Sequence, residues 1–71
     1  MAKDICVRLG RRVRELRLKR GWTQAQLAKR VGLDRSYLGD VERGGRNVSA
    51  AKLELIAKGF GISLAKLFDK V

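Results

Sequence analysis

The 71-residue chain has no histidine, no proline and one cysteine, and its acidic residues are few. Each shortage closes a class of function. A single Cys forms no internal disulfide, and one Cys without His is too small a ligand set for zinc. Without imidazole, the Ser–His–Asp and Cys–His nucleophile arrangements are also out of reach. No run approaches the roughly 18 apolar residues of a membrane span. Residues 1–20 lack the continuous apolar centre of a secretory signal. The resulting expectation is a cytoplasmic chain with no cofactor, no metal and no enzymatic activity. A domain of this size buries only about 60% of the surface its unfolded chain exposes, so self-association is the remaining way to add buried area.

The shortage of acids is equally informative. Seventeen Lys and Arg face seven Asp and Glu, for a net charge of +10. The excess is lopsided: residues 1–30 carry ten cations and two anions, and residues 31–71 carry seven and five. Such a balance suits a polyanion, either nucleic acid or an anionic membrane. Solubility alone is the plainer explanation, but it rarely requires so much like-charge repulsion in so small a body.

With Pro absent, Gly and N-cap residues punctuate the chain. Ile5, Cys6, Leu9, Val13 and Leu16 recur at steps of three and four, which predicts a helix over 4–20 closed by Gly21, with Cys6 as a small core hydrophobe. Arg8, Arg11, Arg12, Arg14 and Lys19 fall largely off that stripe, and Arg11, Arg12 and Arg14 supply long-range field more than contacts. Gly10 sits inside the helix and should weaken it by about 0.5–1 kcal/mol against Ala. Thr23-Gln24-Ala25-Gln26 fits a capping box opening a helix over 24–31, which Gly32 stops. Asp34 is a candidate N-cap for a third helix over 35–43, terminated by Gly44-Gly45. Ser49 caps a fourth helix over 50–60, and Ser63 opens a short fifth over 64–69. Alternating β-branched runs, repeats and linkers are missing. The expectation is an all-α domain spanning 1–71, with five short helices held by mutual packing.

The second and third helices are joined by about three residues, Gly32-Leu33-Asp34. Two helices meeting through such a turn form a helix-turn-helix, whose second helix can enter a DNA major groove. Arg35, Ser36, Gly39, Asp40 and Arg43 face away from Leu38 and Val41, an outer side poor in large apolar groups.

The strings Thr23-Gln24-Ala25-Gln26-Leu27-Ala28, Val31-Gly32-Leu33-Asp34-Arg35-Ser36-Tyr37-Leu38 and Val41-Glu42-Arg43-Gly44 resemble the phage-repressor and Cro-like (XRE-type) helix-turn-helix regulators. Arg46-Asn47-Val48-Ser49 followed by Leu53-Glu54-Leu55-Ile56-Ala57 is similar to the controller proteins of bacterial restriction–modification systems. The likeness covers nearly the whole chain. It implies a lambda-repressor-like five-helix fold and a bacterial or phage source. It also implies a homodimer regulating transcription from a palindromic operator, with control of a restriction–modification operon as the finer expectation.

Under that resemblance Arg35, Ser36, Tyr37, Gly39 and Asp40 are the candidates for base contact. The fork of Arg35 matches guanine O6 and N7 together, unless it serves a structural purpose at the helix start. Ser36 can donate to a base or a phosphate, or simply be helix surface. Tyr37 can reach a thymine methyl or a phosphate, or pack beside the second helix; the controller likeness favours DNA. Gly39 would let the groove wall approach closely. Asp40 can accept from cytosine N4, but orienting Arg43 and repelling misplaced phosphates is the favoured role. Phosphate contacts are expected from Thr23 and Gln24 at the start of the second helix, and from Arg43, Arg46 and Asn47 in the loop after the third. The resemblance also implies a structural ion pair between Arg17 and Glu42.

Leu55, Leu64, Leu67, Phe68 and Val71 remain to be covered after a small core is filled. They are candidates for a dimer interface setting two recognition helices about 34 Å apart, or else for completing the protomer core. Asn47-Val48-Ser49 as a sequon and Gly59-Phe60-Gly61 as a dinucleotide motif are set aside for want of a secretory signal and of a preceding strand. Two rival readings remain: a basic amphipathic membrane-surface module built on the first helix, and an antitoxin or adaptor using this fold to hold a protein partner.

Overall fold

The computed structural model describes residues 3–71, so residues 1 and 2 of the expected unit lie outside the described residues. The described residues form five helices and no strand: α1 Asp4–Lys19, α2 Gln24–Val31, α3 Arg35–Glu42, α4 Ala50–Phe60 and α5 Leu64–Leu67. The fold class is all-α, as expected.

Local chemistry sets the ends. The capping box at α2 is complete: Gln26 N–H donates to Thr23 Oγ1 at 3.1 Å and Thr23 N–H donates to Gln26 Oε1 at 2.8 Å. Ser49 and Ser63 accept from Lys52 and Lys66 N–H in the same manner. Gly32 takes the left-handed conformation (φ 73°) that turns the chain from α2 toward α3. Asp34 departs from expectation. Its backbone occupies the N-cap position, but its carboxylate makes no capping hydrogen bond, leaving the first-turn amides of α3 without a side-chain acceptor.

Three helices are shorter than expected. Arg20 and Arg43 are the C-cap residues of α1 and α3 and lie just outside those helices. The larger difference is at α5, which ends at Leu67, two residues early. Asp69 N–H turns back three residues onto the Lys66 carbonyl at 3.2 Å and Lys70 is left-handed (φ 69°), which closes the helix. Arg12 satisfies the carbonyls left at that end, its Nε donating to Leu67 at 3.2 Å and its Nη2 to Lys66 at 2.9 Å. Arg12 is therefore buried, at 6% exposure, and is not the surface cation its position off the stripe suggested.

The helices meet over Val13, Leu27, Leu38, Val41, Ile56 and Leu67, all essentially sealed from solvent. Burying one such Leu contributes about 1.5–3 kcal/mol. Helix α1 lies on α3, α2 contacts both α3 and α4, and α4 contacts α5. Leu67 is 0% exposed, so the protomer's own core consumes it and it drops out of the proposed dimer surface. Ile5 moves the other way: it is 51% exposed despite its place on the apolar stripe. Cys6 is half-buried at the rim of an apolar pocket lined by Ile5, Leu9, Val48, Leu53 and Phe68, and is not a core residue.

Gly10 explains how α1 and α3 come so close. A Cβ there would sit 2.2 Å from the Val41 carbonyl oxygen and 2.7 Å from that of Glu42. The modest cost of a mid-helix Gly is offset by a backbone-to-backbone approach no side chain permits. Gly10→Ala is accordingly expected to destabilise by about 1–3 kcal/mol, as overpacking does, despite the better helix propensity of Ala. Thermal unfolding checks this: a midpoint lower by at least about 4 °C is expected, and an unchanged or higher midpoint would contradict the close crossing.

Candidate nucleic-acid interface

The turn at Gly32–Asp34 leaves the first turn of α3 at the surface. Arg35 and Ser36 are exposed there, and Tyr37 is half-buried beside them. Leu38 and Val41, on the opposite side, anchor the helix in the core.

The far end of α3 is held by an ion pair. Arg17 donates to Glu42 through two parallel bonds, Nε to Oε2 at 2.7 Å and Nη2 to Oε1 at 3.0 Å. Its remaining Nη1 donates to the Trp22 carbonyl at 2.8 Å. Gln24 completes the group, its Nε2 donating to Glu42 Oε1 at 3.1 Å. The two charged side chains are only 11% and 4% exposed. The hydrogen bond to Glu42 raises the Arg17 guanidinium above its ordinary value, against the opposing effect of burial. No buried side-chain nitrogen or oxygen among the described residues lacks a partner. The Gln24 amide assigned to a phosphate is thus already occupied in bracing α2 against α3.

Beyond α3 lies a second cluster. Asp40 accepts from Arg43 through Oδ1 and from Arg46 Nε and Nη2 through Oδ2, the latter at 3.3 Å. Hydrogen bonding from Arg43 holds the Asp40 carboxyl below the usual carboxylate range, with burial opposing and Arg46 adding to the effect. The Arg46 guanidinium lies 5.1 Å from the Tyr37 ring centroid, and Lys52 Nζ lies 4.4 Å from it. Asn47 is exposed, with its Oδ1 accepting from Cys6 Sγ at 3.2 Å. Thr23 is exposed, with its Oγ1 committed to the α2 cap.

Gly39 needs correcting. It is buried, and a Cβ there would lie 3.4 Å from Arg43 Nη1 and 3.6 Å from Gln24 Oε1. Those are ordinary contact distances, so no neighbour requires a glycine here, and it is the side chains of Arg43 and Gln24 that cover Gly39 from the outer side. Sequence reasoning also missed Lys52. Its place over Tyr37 depends on the angle between α3 and α4, for which linear spacing carries no signal.

The comparisons with known proteins agree with this geometry. A helix-turn-helix family profile matches residues 13–67. The chain belongs to the XRE-type helix-turn-helix family. It is 41% identical over 69 residues to the control protein C.MunI of a Mycoplasma species, covering 96% of this chain and 93% of that one. The restriction–modification controller protein C.AhdI from Aeromonas hydrophila superposes with a TM-score of 0.89 at 45% identity, covering 93% of this chain and all of that one. The controller C.Esp1396I, solved as a tetramer on its natural 35-base-pair operator, superposes with a TM-score of 0.87 at 34% identity, covering 94% of this chain and 88% of that one.

In this helix-turn-helix chain the Arg17–Glu42 pair should behave unlike a surface pair. Glu42→Ala strands a buried guanidinium and is expected to cost about 3–5 kcal/mol, enough to leave so small a domain largely unfolded. Asp4→Ala, which removes the exposed pair with Arg8, should cost no more than about 1 kcal/mol. Urea unfolding of both variants checks the contrast, and equal losses would show that Glu42 is not holding the fold.

Proposed function

We propose that the chain is a homodimeric, sequence-specific regulator of transcription that binds a palindromic site in double-stranded DNA through α3. The observation that carries this reading is the exposed start of α3, presenting Arg35 and Ser36, on a helix whose other end is pinned by Arg17 and Glu42. A helix held so can enter the major groove with its first turn toward the base edges, in the docking mode of helix-turn-helix domains. Arg35 reads a guanine edge, while Ser36 and Tyr37 contact a neighbouring base or the sugar–phosphate wall. Arg43, Arg46 and Asn47 grip phosphates, joined by Lys52, by the Gln24 backbone amide and by the Thr23 hydroxyl hydrogen, which the cap does not use.

Controller proteins among the relatives, one of them solved on its operator, favour this reading over the membrane-surface and adaptor readings. They also support control of a restriction–modification operon as the biological setting, in the cytoplasm and without enzymatic activity. Dimerisation uses the apolar groups the protomer leaves uncovered: Leu55 at 41% exposure and Leu64 at 39%, with half-buried Phe68 and Val71 beside them.

Selection of bound duplexes from a random pool tests the reading. An inverted repeat should emerge with half-sites about one helical turn, 34 Å, apart. Arg35→Ala should lose about 1–3 kcal/mol of discrimination at one base position in each half-site. Arg46→Ala should instead weaken all sequences together and lower the salt slope by about one. Enrichment of no sequence would refute the proposal, and a uniform effect of Arg35→Ala would remove its base-reading role. For the dimer, Leu64→Asp should shift the chain toward monomer in sedimentation while the helical circular dichroism persists. Loss of fold, or an unchanged dimer, would place the interface elsewhere.

A further inference from the structure

Asp40 places one carboxylate between two cations. Oδ1 takes Arg43 at the C-cap of α3, and Oδ2 takes Arg46 in the loop that follows. All three side chains are open to solvent, at 37% exposure for Asp40, 69% for Arg43 and 50% for Arg46. In a chain of net charge +10, this is an unexpected place for an acid. A phosphate attracted to either arginine meets a like charge one hydrogen bond behind it. The other acid at this end of α3, Glu42, is buried and committed to Arg17 and Gln24, so it contributes no such screen.

We propose that Asp40 is a specificity-determining positioning residue, whose carboxylate fixes the forks of Arg43 and Arg46 and makes their grip on phosphate conditional on register. The inference rests on the DNA-binding reading above. The physical argument has two parts. Arg46, bound along its Nε–Nη2 edge, and Arg43, bound through Nη2 alone, keep their remaining N–H groups for a phosphate, with much of their rotamer freedom already spent. In the register that α3 adopts on its own site, those outer donors meet phosphates directly, and this preorganisation offsets the repulsion from the carboxylate. On an arbitrary sequence the phosphates fall elsewhere, the arginines must leave Asp40 to follow them, and only the repulsion remains. Tyr37 restricts Arg46 further, since its ring lies under the guanidinium and under Lys52 as well. Asp40 thus suppresses generic adhesion more than it suppresses site-specific binding.

The test compares the wild-type chain with Asp40→Asn, which keeps the shape and loses the charge. Both bind the duplex recovered by selection and a shuffled duplex of the same composition. For Asp40→Asn, affinity for the shuffled duplex should rise about five- to tenfold at about 0.1 M salt, one further phosphate's worth of counterion release, and its salt slope should steepen by up to about 0.9. Affinity for the selected duplex should change less than about threefold, so the ratio between them falls. Asp40→Glu, which restores the charge, should recover most of the ratio. Thermal unfolding should be nearly unchanged, because the group is exposed. An unaltered ratio would overturn the proposal. So would a new preference confined to one base pair, which would make Asp40 a reader of cytosine. If the wild type itself does not distinguish the two duplexes, the DNA-reading assignment fails first, and this inference falls with it.

Discussion

The bidentate contact between Arg17 and Glu42 is the constraint on which the arrangement of the other helices depends. It ties α1 to the end of α3, reaches the turn before α2 through the Trp22 carbonyl, and draws in Gln24 from the first turn of α2. Gly10 makes the contact possible. It lets the α1 backbone rest on the Val41 and Glu42 carbonyls, and Arg17, two helical turns further on, then falls on the same face. A buried pair of this kind is costly to desolvate, and hydrophobic replacements of similar shape often match it in stability. What it contributes here is direction: α3 has one angle at which all of these bonds are made.

That fixed angle presents two kinds of surface. The first turn of α3 exposes Arg35 and Ser36, which have no side-chain hydrogen bond or ion pair among the described residues, where a base edge can be met. A second surface holds Arg43 and Arg46 on Asp40, with Arg46 and Lys52 over the ring of Tyr37 from the first turn, and there charge dominates. The proposed reading and gripping groups thus adjoin on one eight-residue helix and the loop beyond it, and they meet at Tyr37. The stacked rings of Trp22 and Phe60, with Arg20 and Arg30 against them, lie in the body that carries this helix and join the start of α2 to the end of α4.

Much of this was legible in the sequence, and the failures share a physical cause. The five helices follow from apolar periodicity, the Thr23–Gln26 box, the serine caps and the terminal glycines, all of which act within a few residues. Arg12 was misread because periodicity places it on the outer side of α1, while its long side chain reaches the carbonyls at the end of α5. The same contact satisfies the carbonyls at the end of α5. Counting apolar residues leaves Leu67 over for a partner, since a count does not say which of them the protomer seals. The linear pattern puts Gly39 on the open outer side of α3, where the side chains of Gln24 and Arg43 in fact cover it. Local chemistry is written along the chain; contacts between helices wait on their angles.

The central claim is that α3 lies in the major groove with Arg35 against a guanine. A double-mutant cycle tests it most directly, pairing Arg35→Ala with replacement of the half-site guanine by 7-deazaguanine, which removes the N7 acceptor and leaves the base pair intact. The account predicts that the deaza base weakens the wild-type chain about tenfold and leaves Arg35→Ala almost unaffected. Equal losses in both proteins, or no loss in either, would contradict it.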